Sequence, residues 1–100
     1  MTRMMTRIFV ALILLASAVD ANAGRMTADM VGCDRTVNLW KVTVDHSTST
    51  TNEYINSGNC MILRQGQKVT VLQRTIFEGL SMSQVNANGE IVWVLSDFVK

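Results

Sequence analysis

The 100-residue sequence contains no proline, a single histidine and only two cysteines. Without proline, no strand is confined to a sheet edge on that ground. Cys33 and Cys60 lack the spacing of a C-x-x-C redox motif, and together with His46 they do not make a zinc-ligand set. We therefore predict that the protein binds no metal and needs no cofactor.

The residue types of a catalytic triad stand side by side in Asp45, His46 and Ser47. Adjacent residues on an extended chain point to opposite faces, whereas a triad needs side chains that converge from separate positions. The remaining carboxylates are scattered and form no evident acid–base pair. We interpret His46 as a solvated loop residue and predict that the protein is not an enzyme.

The N-terminus has the pattern of a secretory signal peptide. Arg3 and Arg7 precede an uncharged run over residues 8–19, and the segment ends in Ala-Asn-Ala23. This order of a basic start, an apolar stretch and small residues before a cut is typical of an exported protein. The run is shorter than the ~20 residues of a membrane-spanning helix. Cys33 lies too far beyond the run to be a lipidated cysteine, so we expect no stable membrane insertion after cleavage.

Charge is low in the chain that cleavage would leave. Charged residues make up 17% of the sequence, and removal of residues 1–23 leaves seven basic and seven acidic side chains. This balance gives no electrostatic reason to expect nucleic acid as a partner. We predict an N-terminal extension over residues 24–35 and one domain over residues 36–100. The expected location is the periplasm or the medium.

Cys33 and Cys60 are predicted to form a disulfide. A secreted domain of this size buries a marginal core, and a cross-link is a common way to stabilise one. Closing the loop between the two residues should stabilise the fold by roughly 3 to 4 kcal/mol.

The rest of the chain predicts an all-β domain. Short segments rich in Val, Ile and Thr are separated by Gly, Asn and Ser, with strands expected at residues 37–44, 60–63, 68–73, 80–85 and 91–94. The polar residues 45–52 are predicted to form a long loop, followed by a short extended piece at residues 53–55. Gly66 is expected to have positive φ at a turn, and Asn88-Gly89 predicts a hairpin.

The segment from Cys60 to Lys100 resembles the bacterial SH3-like (SH3b) family. The matching stretches are Leu63-Arg-Gln-Gly-Gln-Lys-Val-Thr-Val-Leu72, Leu80-Ser-Met-Ser-Gln-Val85, Asn88-Gly-Glu-Ile-Val-Trp-Val94 and Ser96-Asp-Phe-Val99. The resemblance implies a 3₁₀ turn at residues 95–97 and a last short strand at residues 98–99 that closes the barrel. The predicted fold is therefore a small, partly open SH3-like barrel of about five short strands.

Two aromatic residues are the candidates for ligand contact. Trp40 was placed on the first predicted strand and Tyr54 directly after the polar loop, where amphipathic rings would suit a peptide or glycan stem. The alternative, in which Trp40 is buried and Tyr54 is a surface residue without a special role, stays open. Trp93 and Phe98 are expected in the core because aromatic rings supply large buried areas.

These features favour an exported binding module of the bacterial cell envelope that docks onto peptidoglycan peptides or an envelope protein. The alternative is a small accessory or structural subunit of an envelope or secretion complex, or a protein inhibitor of an exported enzyme. A hydrolase built on His46 and a carboxylate ranks last.

Overall fold

A computed structural model describes residues 22–100. The elements are β1 (Ala23–Arg25), β2 (Met30–Cys33), α1 (Thr36–Asp45), α2 (Thr48–Asn56), β3 (Cys60–Leu63), β4 (Lys68–Phe77), β5 (Leu80–Ala87), β6 (Glu90–Leu95) and a 3₁₀ helix (Ser96–Phe98). All six strands belong to one antiparallel sheet in the order β1-β4-β5-β6-β2-β3. The prediction of a mostly β protein is confirmed. The predicted signal peptide lies, except for its last two residues, outside the described part of the chain.

Two hairpins build the middle of the sheet. Asn88 and Gly89 have φ values of 55° and 94°, which two-residue turns between antiparallel strands require, so the predicted hairpin is confirmed. Glu78 and Gly79 repeat this geometry with φ values of 50° and 83°. The Glu78-Gly79 turn extends β4 to Phe77, beyond residue 73, where the strand was predicted to end. Gly66 has φ of 85°, as predicted.

An inner cluster of buried side chains forms on one face of the sheet. Alternation along β4, β5 and β6 sends every second residue to this face. Its buried members are Met26, Leu63, Val69, Val71, Val85, Ala87, Val92, Val94 and Val99. Phe98 packs against the cluster from its margin. The small branched side chains explain why this face reads as strand in the sequence.

The C-terminal residues return to the start of the sheet. Val99 forms a β-bridge with Met26, and the Thr27 amide donates to the Phe98 carbonyl oxygen at 2.9 Å. β1 is thereby held between β4 on one side and the last residues of the chain on the other. The 3₁₀ helix begins at Ser96, one residue later than predicted.

The predicted first strand at residues 37–44 is wrong, because these residues form helix α1. Leu39 and Val42 are its buried residues, and their spacing of three places both on one face of a helix. The β-branched valines favour a strand locally, but the helix buries Leu39 and Val42 against the sheet. Tertiary packing therefore overrides the local preference.

The predicted loop at residues 45–52 and the extended piece at residues 53–55 are also wrong, because helix α2 occupies Thr48–Asn56. The Ser47 side chain caps its start by accepting from the Thr50 amide at 3.2 Å. At its end, the Gly58 amide donates to the Ile55 carbonyl and the Asn59 amide to the Tyr54 carbonyl. These two bonds make a Schellman motif.

An outer cluster lies on the opposite face of β5 and β6, beneath the two helices. Its buried members are Cys33, Leu39, Val42, Cys60 and Met82, and the partly buried hydrophobic residues around them include Trp40, Tyr54, Phe77, Trp93 and Leu95. Trp93 is thus in a core, as expected.

The insertion, defined as residues 34–59 between β2 and β3, is closed by the predicted disulfide. Cys33 and Cys60 are direct partners in the β2–β3 ladder, with Cα atoms 4.0 Å apart, and they are cross-linked. Residues 24–35, assigned from the sequence to an N-terminal extension, supply β2 and all of β1 except Ala23 to the sheet. Six strands and two helices replace the expected barrel of about five strands.

Candidate functional site

The candidate site is an apolar groove of about 470 Å³ between the insertion and the end of the sheet. β2, the two helices, the end of β6 and the 3₁₀ helix all contribute to it. The lining residues are Met30, Val31, Val42, Thr43, His46, Ser47, Thr48, Thr51, Asn52, Leu95 and Phe98. We call this surface the insertion groove.

The short link between the helices shapes one wall of the groove. His46 ends α1 in a left-handed conformation, with φ of 55° and ψ of 19°, and Ser47 caps α2 directly afterwards. The chain therefore reverses between the helices over two residues. This reversal brings α2, with Thr48 and Thr51, beside β2.

Apolar side chains and hydroxyl groups dominate the chemistry of the groove. Its lining includes no Asp, Glu, Lys or Arg, and His46, its one imidazole, is exposed. The hydroxyl groups can donate or accept hydrogen bonds, while the apolar residues offer area that favours burial. Such a surface suits an uncharged segment that places one or two apolar side chains in the groove. It offers His46 no carboxylate with which to build a hydrolytic pair.

Trp40 and Tyr54, the candidates from the sequence, lie elsewhere. Both are half-buried and pack against the outer cluster, Trp40 from α1 and Tyr54 from α2. Tyr54 also lines a separate polar depression, together with Asp34, Arg35, Val37, Asn38, Glu53, Ser57 and Asn59. Neither ring lines the insertion groove.

Asp34 ties together the two ends of the insertion. Its carboxylate accepts from the Asn38 amide nitrogen at 2.8 Å and from the Asn59 amide nitrogen at 3.0 Å, and its backbone amide donates to the Asn59 carbonyl at 2.8 Å. The side-chain bonds from Asn59 and Asn38 lower the pKa of Asp34 below its ordinary value.

A second carboxylate braces the turn before β4. Asp29 accepts from the Gln65 backbone amide at 2.7 Å and pairs with Arg64 at 3.4 Å. The backbone hydrogen bond is the main reason that the pKa of Asp29 is lowered, and Arg64 adds to the effect. Both groups of the ion pair are exposed, so the pair contributes little to stability.

Sequence reasoning missed the groove because it missed both helices. The available signals were Ser47, a residue type preferred at the helix N-cap, and Gly58 shortly after Asn56, which is typical of a helix end. Met30 and Phe98 could not be placed in the groove without the position of the insertion.

Within residues 22–100, no three His, Cys, Asp or Glu side chains are grouped so that they could hold a metal ion. None of the helices there has the length and apolar character needed to cross a membrane.

Comparison of the chain with protein-family models, with curated proteins and with solved structures finds no match in any of the three.

Proposed function

We propose that the protein is an exported, SH3-like binding module of the bacterial cell envelope that docks onto a segment of another envelope protein. The observation that carries this proposal is the insertion groove. A groove lined by apolar side chains and hydroxyl groups, without Asp, Glu, Lys or Arg, is suited to binding and lacks the paired groups that general acid–base catalysis needs.

The SH3-like part of the proposal is supported by the path of the chain. β4, β5 and β6 are successive antiparallel neighbours, a 3₁₀ helix follows β6, and Val99 then pairs beside β1. This is the order of elements that the resemblance of residues 60–100 implies. In the same scheme, β1 and β4 are the first two strands of the barrel. The long connection between them contains β2, the two helices and β3.

Export is supported by the N-terminal pattern and by the disulfide. Cross-links of this kind persist in oxidising compartments and are rare in the cytosol. The proposed location is therefore the periplasm or the medium.

The lining of the groove favours a protein segment over a peptidoglycan peptide. Stem peptides of the cell wall carry free carboxylates, and burying a carboxylate without a cation or several hydrogen-bond donors is costly. The groove provides no Lys or Arg for such a group. An apolar segment of a protein leaves no charge unpaired there.

Photo-crosslinking in intact cells tests the proposal. A photoreactive amino acid at Thr51, inside the groove, should give one dominant adduct with an envelope protein. The same group at Ser49, which is exposed on α2 and does not line the groove, should not. The purified partner should then bind the mature protein, and its bound segment should be apolar.

Charge substitutions provide the control for this binding. Asn52→Glu places a carboxylate at the groove and should weaken binding more than about tenfold, because the charge must be desolvated on docking. Ser49→Glu on the same helix should leave affinity unchanged. Equal adducts from both crosslinker positions, or Asn52→Glu binding like the wild type, would contradict the proposal. Binding to isolated sacculi that Asn52→Glu abolishes would instead favour a wall peptide.

A further inference from the structure

Three cations form a row across neighbouring strands on the outside of the sheet. Arg25 and Lys68 are direct partners in the β1–β4 ladder. Arg25 and Lys100 exchange both backbone hydrogen bonds, at 2.8 and 3.0 Å, and are therefore direct partners as well. Directly opposite residues project to the same face of a sheet. We call Lys68, Arg25 and Lys100 the cation row.

The residues next to the cation row in the chain show to which side of the sheet its side chains project. Val69 and Val99 are buried in the inner cluster, and both adjoin members of the row. Since successive side chains alternate, the cations project away from that cluster. Arg25, Lys68 and Lys100 are all exposed.

No Asp or Glu side chain of residues 22–100 pairs with the row, and the ion pair found there joins Arg64 to Asp29. The Arg25 guanidinium donates to the Gly66 carbonyl oxygen at 2.9 Å, which leaves most of its N–H groups available. Like charges directly opposite each other in a sheet are destabilising. An arrangement of three such cations therefore costs stability unless an anion joins them.

A depression of about 690 Å³ adjoins the row. It is lined by Ala23, Gly24, Arg25, Lys68, Val69, Thr70, Asn86, Asn88 and Lys100, and thus by no Asp or Glu. Thr70 is the direct partner of Asn86 in the β4–β5 ladder, which puts a hydroxyl and an amide side by side. The side-chain oxygen of Asn86, Oδ1, already accepts from the Gly89 backbone amide at 2.7 Å, so the side-chain nitrogen Nδ2 is the group left to donate to a ligand.

We propose that this surface is an anion site that binds a phosphate group carried by a small molecule or a lipid headgroup. A phosphate monoester or pyrophosphate carries more than one negative charge and several strong acceptor oxygens, which match three cations flanked by hydroxyl and amide donors. A single carboxylate would neutralise only one member of the row. This site shares no residue with the insertion groove, and the proposal is independent of the function assigned to that groove.

Two probes with the mature protein test the site and distinguish the sources of phosphate. Inorganic pyrophosphate is titrated in low salt while backbone amide shifts are followed by NMR. In parallel, the protein is co-sedimented with vesicles of phosphatidylglycerol and phosphatidylcholine, and with vesicles of phosphatidylcholine alone. We expect pyrophosphate to shift the amides of Arg25, Lys68 and Thr70, and added salt to weaken binding. Retention on the phosphatidylglycerol vesicles as well assigns a headgroup, and pyrophosphate binding alone assigns a soluble phosphate compound.

A double variant and a charge-matched control decide the outcome. Lys68→Gln/Lys100→Gln should weaken binding of the probe about thirtyfold, since each cation contributes about one order of magnitude or less. Arg35→Gln/Lys41→Gln removes the same charge from exposed positions on the insertion, away from the row, and should change affinity less than about threefold. Relief of repulsion should also raise the Tm of Lys68→Gln at low ionic strength.

Three results would overturn the proposal: neither probe binds the wild type, the double variant binds as the wild type does, or the control pair loses as much affinity as the row variant. An equal loss in both pairs would show that net charge alone attracts the anion. Folding of each variant is checked by its far-UV circular dichroism spectrum.

Discussion

The two faces of the β5–β6 pair are covered by different means. The inner cluster is built from strand side chains and closed by the pairing of Val99 with Met26. The outer cluster is covered by two short helices. The chain enters α1 and leaves α2 beside the Cys33–Cys60 disulfide, and Asp34 joins these two ends of the insertion by hydrogen bonds. Isolated helices of nine or ten residues are marginal in water, so these helices depend on what closes the insertion.

The difference shows how the fold can carry a binding surface. The hairpins of β4, β5 and β6 can form from local contacts, whereas the insertion needs its cross-link and the finished sheet. The insertion groove lies where the two regions meet. We therefore expect the inner cluster to determine whether the domain folds and the insertion to determine what it binds.

The largest effect should follow from removing the segment that closes the inner cluster. Deletion of residues 98–100 removes buried Val99, the Phe98 ring and the hydrogen bonds to Arg25 and Thr27. We expect a loss of more than about 3 kcal/mol in the free energy of unfolding, enough to unfold a domain of this size. Circular dichroism and thermal scans measure the effect. Deletion of Lys100 alone is the control and should leave the protein folded; a folded variant lacking all three residues would show that the closure is dispensable.

Removing the disulfide should rank second. Cys33→Ala/Cys60→Ala opens the loop around the insertion and should lower the free energy of unfolding by about 3 to 4 kcal/mol. Urea denaturation of the variant and of the oxidised wild type gives the difference. If the two curves coincide, the insertion is held by packing alone and the contrast between the two regions disappears.

A substitution at Gly32 probes where the two regions join. Gly32 lies on β2 next to Cys33, and a Cβ atom there would sit 2.8 Å from Val92 Cγ2 and 3.1 Å from Val94 Cγ1. Because both valines are buried, Gly32→Ala should cost about 1 to 3 kcal/mol. Gly24→Ala, whose nearest neighbour would be Val99 Cγ1 at 3.1 Å, should cost less. The reverse order in chemical denaturation would contradict the packing described here.

The smallest effect concerns Asp34 and depends on pH. Because hydrogen bonds from Asn59 and Asn38 lower its folded-state pKa, ionised Asp34 stabilises the fold above the ordinary pKa of about 4, and this contribution is lost as pH falls through the lowered value. Asp34→Ala should therefore cost on the order of 0.5 kcal/mol at neutral pH and progressively less below about pH 4. Asp45→Ala, on the same insertion, is the control. A difference between Asp34→Ala and wild type that stays constant with pH would contradict the assignment.

Four of the six strands, β3 to β6, were predictable from the sequence, and the reason is local; β1 and β2 were not. Alternating valines and the Asn88-Gly89 turn specify a hairpin without distant contacts, and residues 60–63 and 91–94 lie within β3 and β6. The disulfide was also predicted, whereas Met26, the partner of Val99, lies in the segment that the sequence assigns to an N-terminal extension. The length of β4 was not predicted, because the Glu78-Gly79 turn was overlooked.

The insertion was not predictable by the same means. Val37, Val42 and Val44 have strand preference, and the Ser/Thr-rich residues that follow resemble a loop. The burial of Leu39 and Val42 on one helical face depends on Met82 and the disulfide, which are distant in sequence. The groove depends on the same distant contacts. The sequence around Trp40 and Tyr54 therefore does not indicate the surface between the helices and β2.

Residue-resolved hydrogen exchange of Cys33→Ala/Cys60→Ala tests the central contrast most directly. We predict that amides of α1 and α2 lose their protection while those of β4, β5 and β6 keep most of theirs, because the inner cluster does not include the cross-link. Loss of protection throughout residues 22–100 would mean that the two clusters form one cooperative unit. Retained protection in both helices would equally contradict the claim that the disulfide holds the insertion in place.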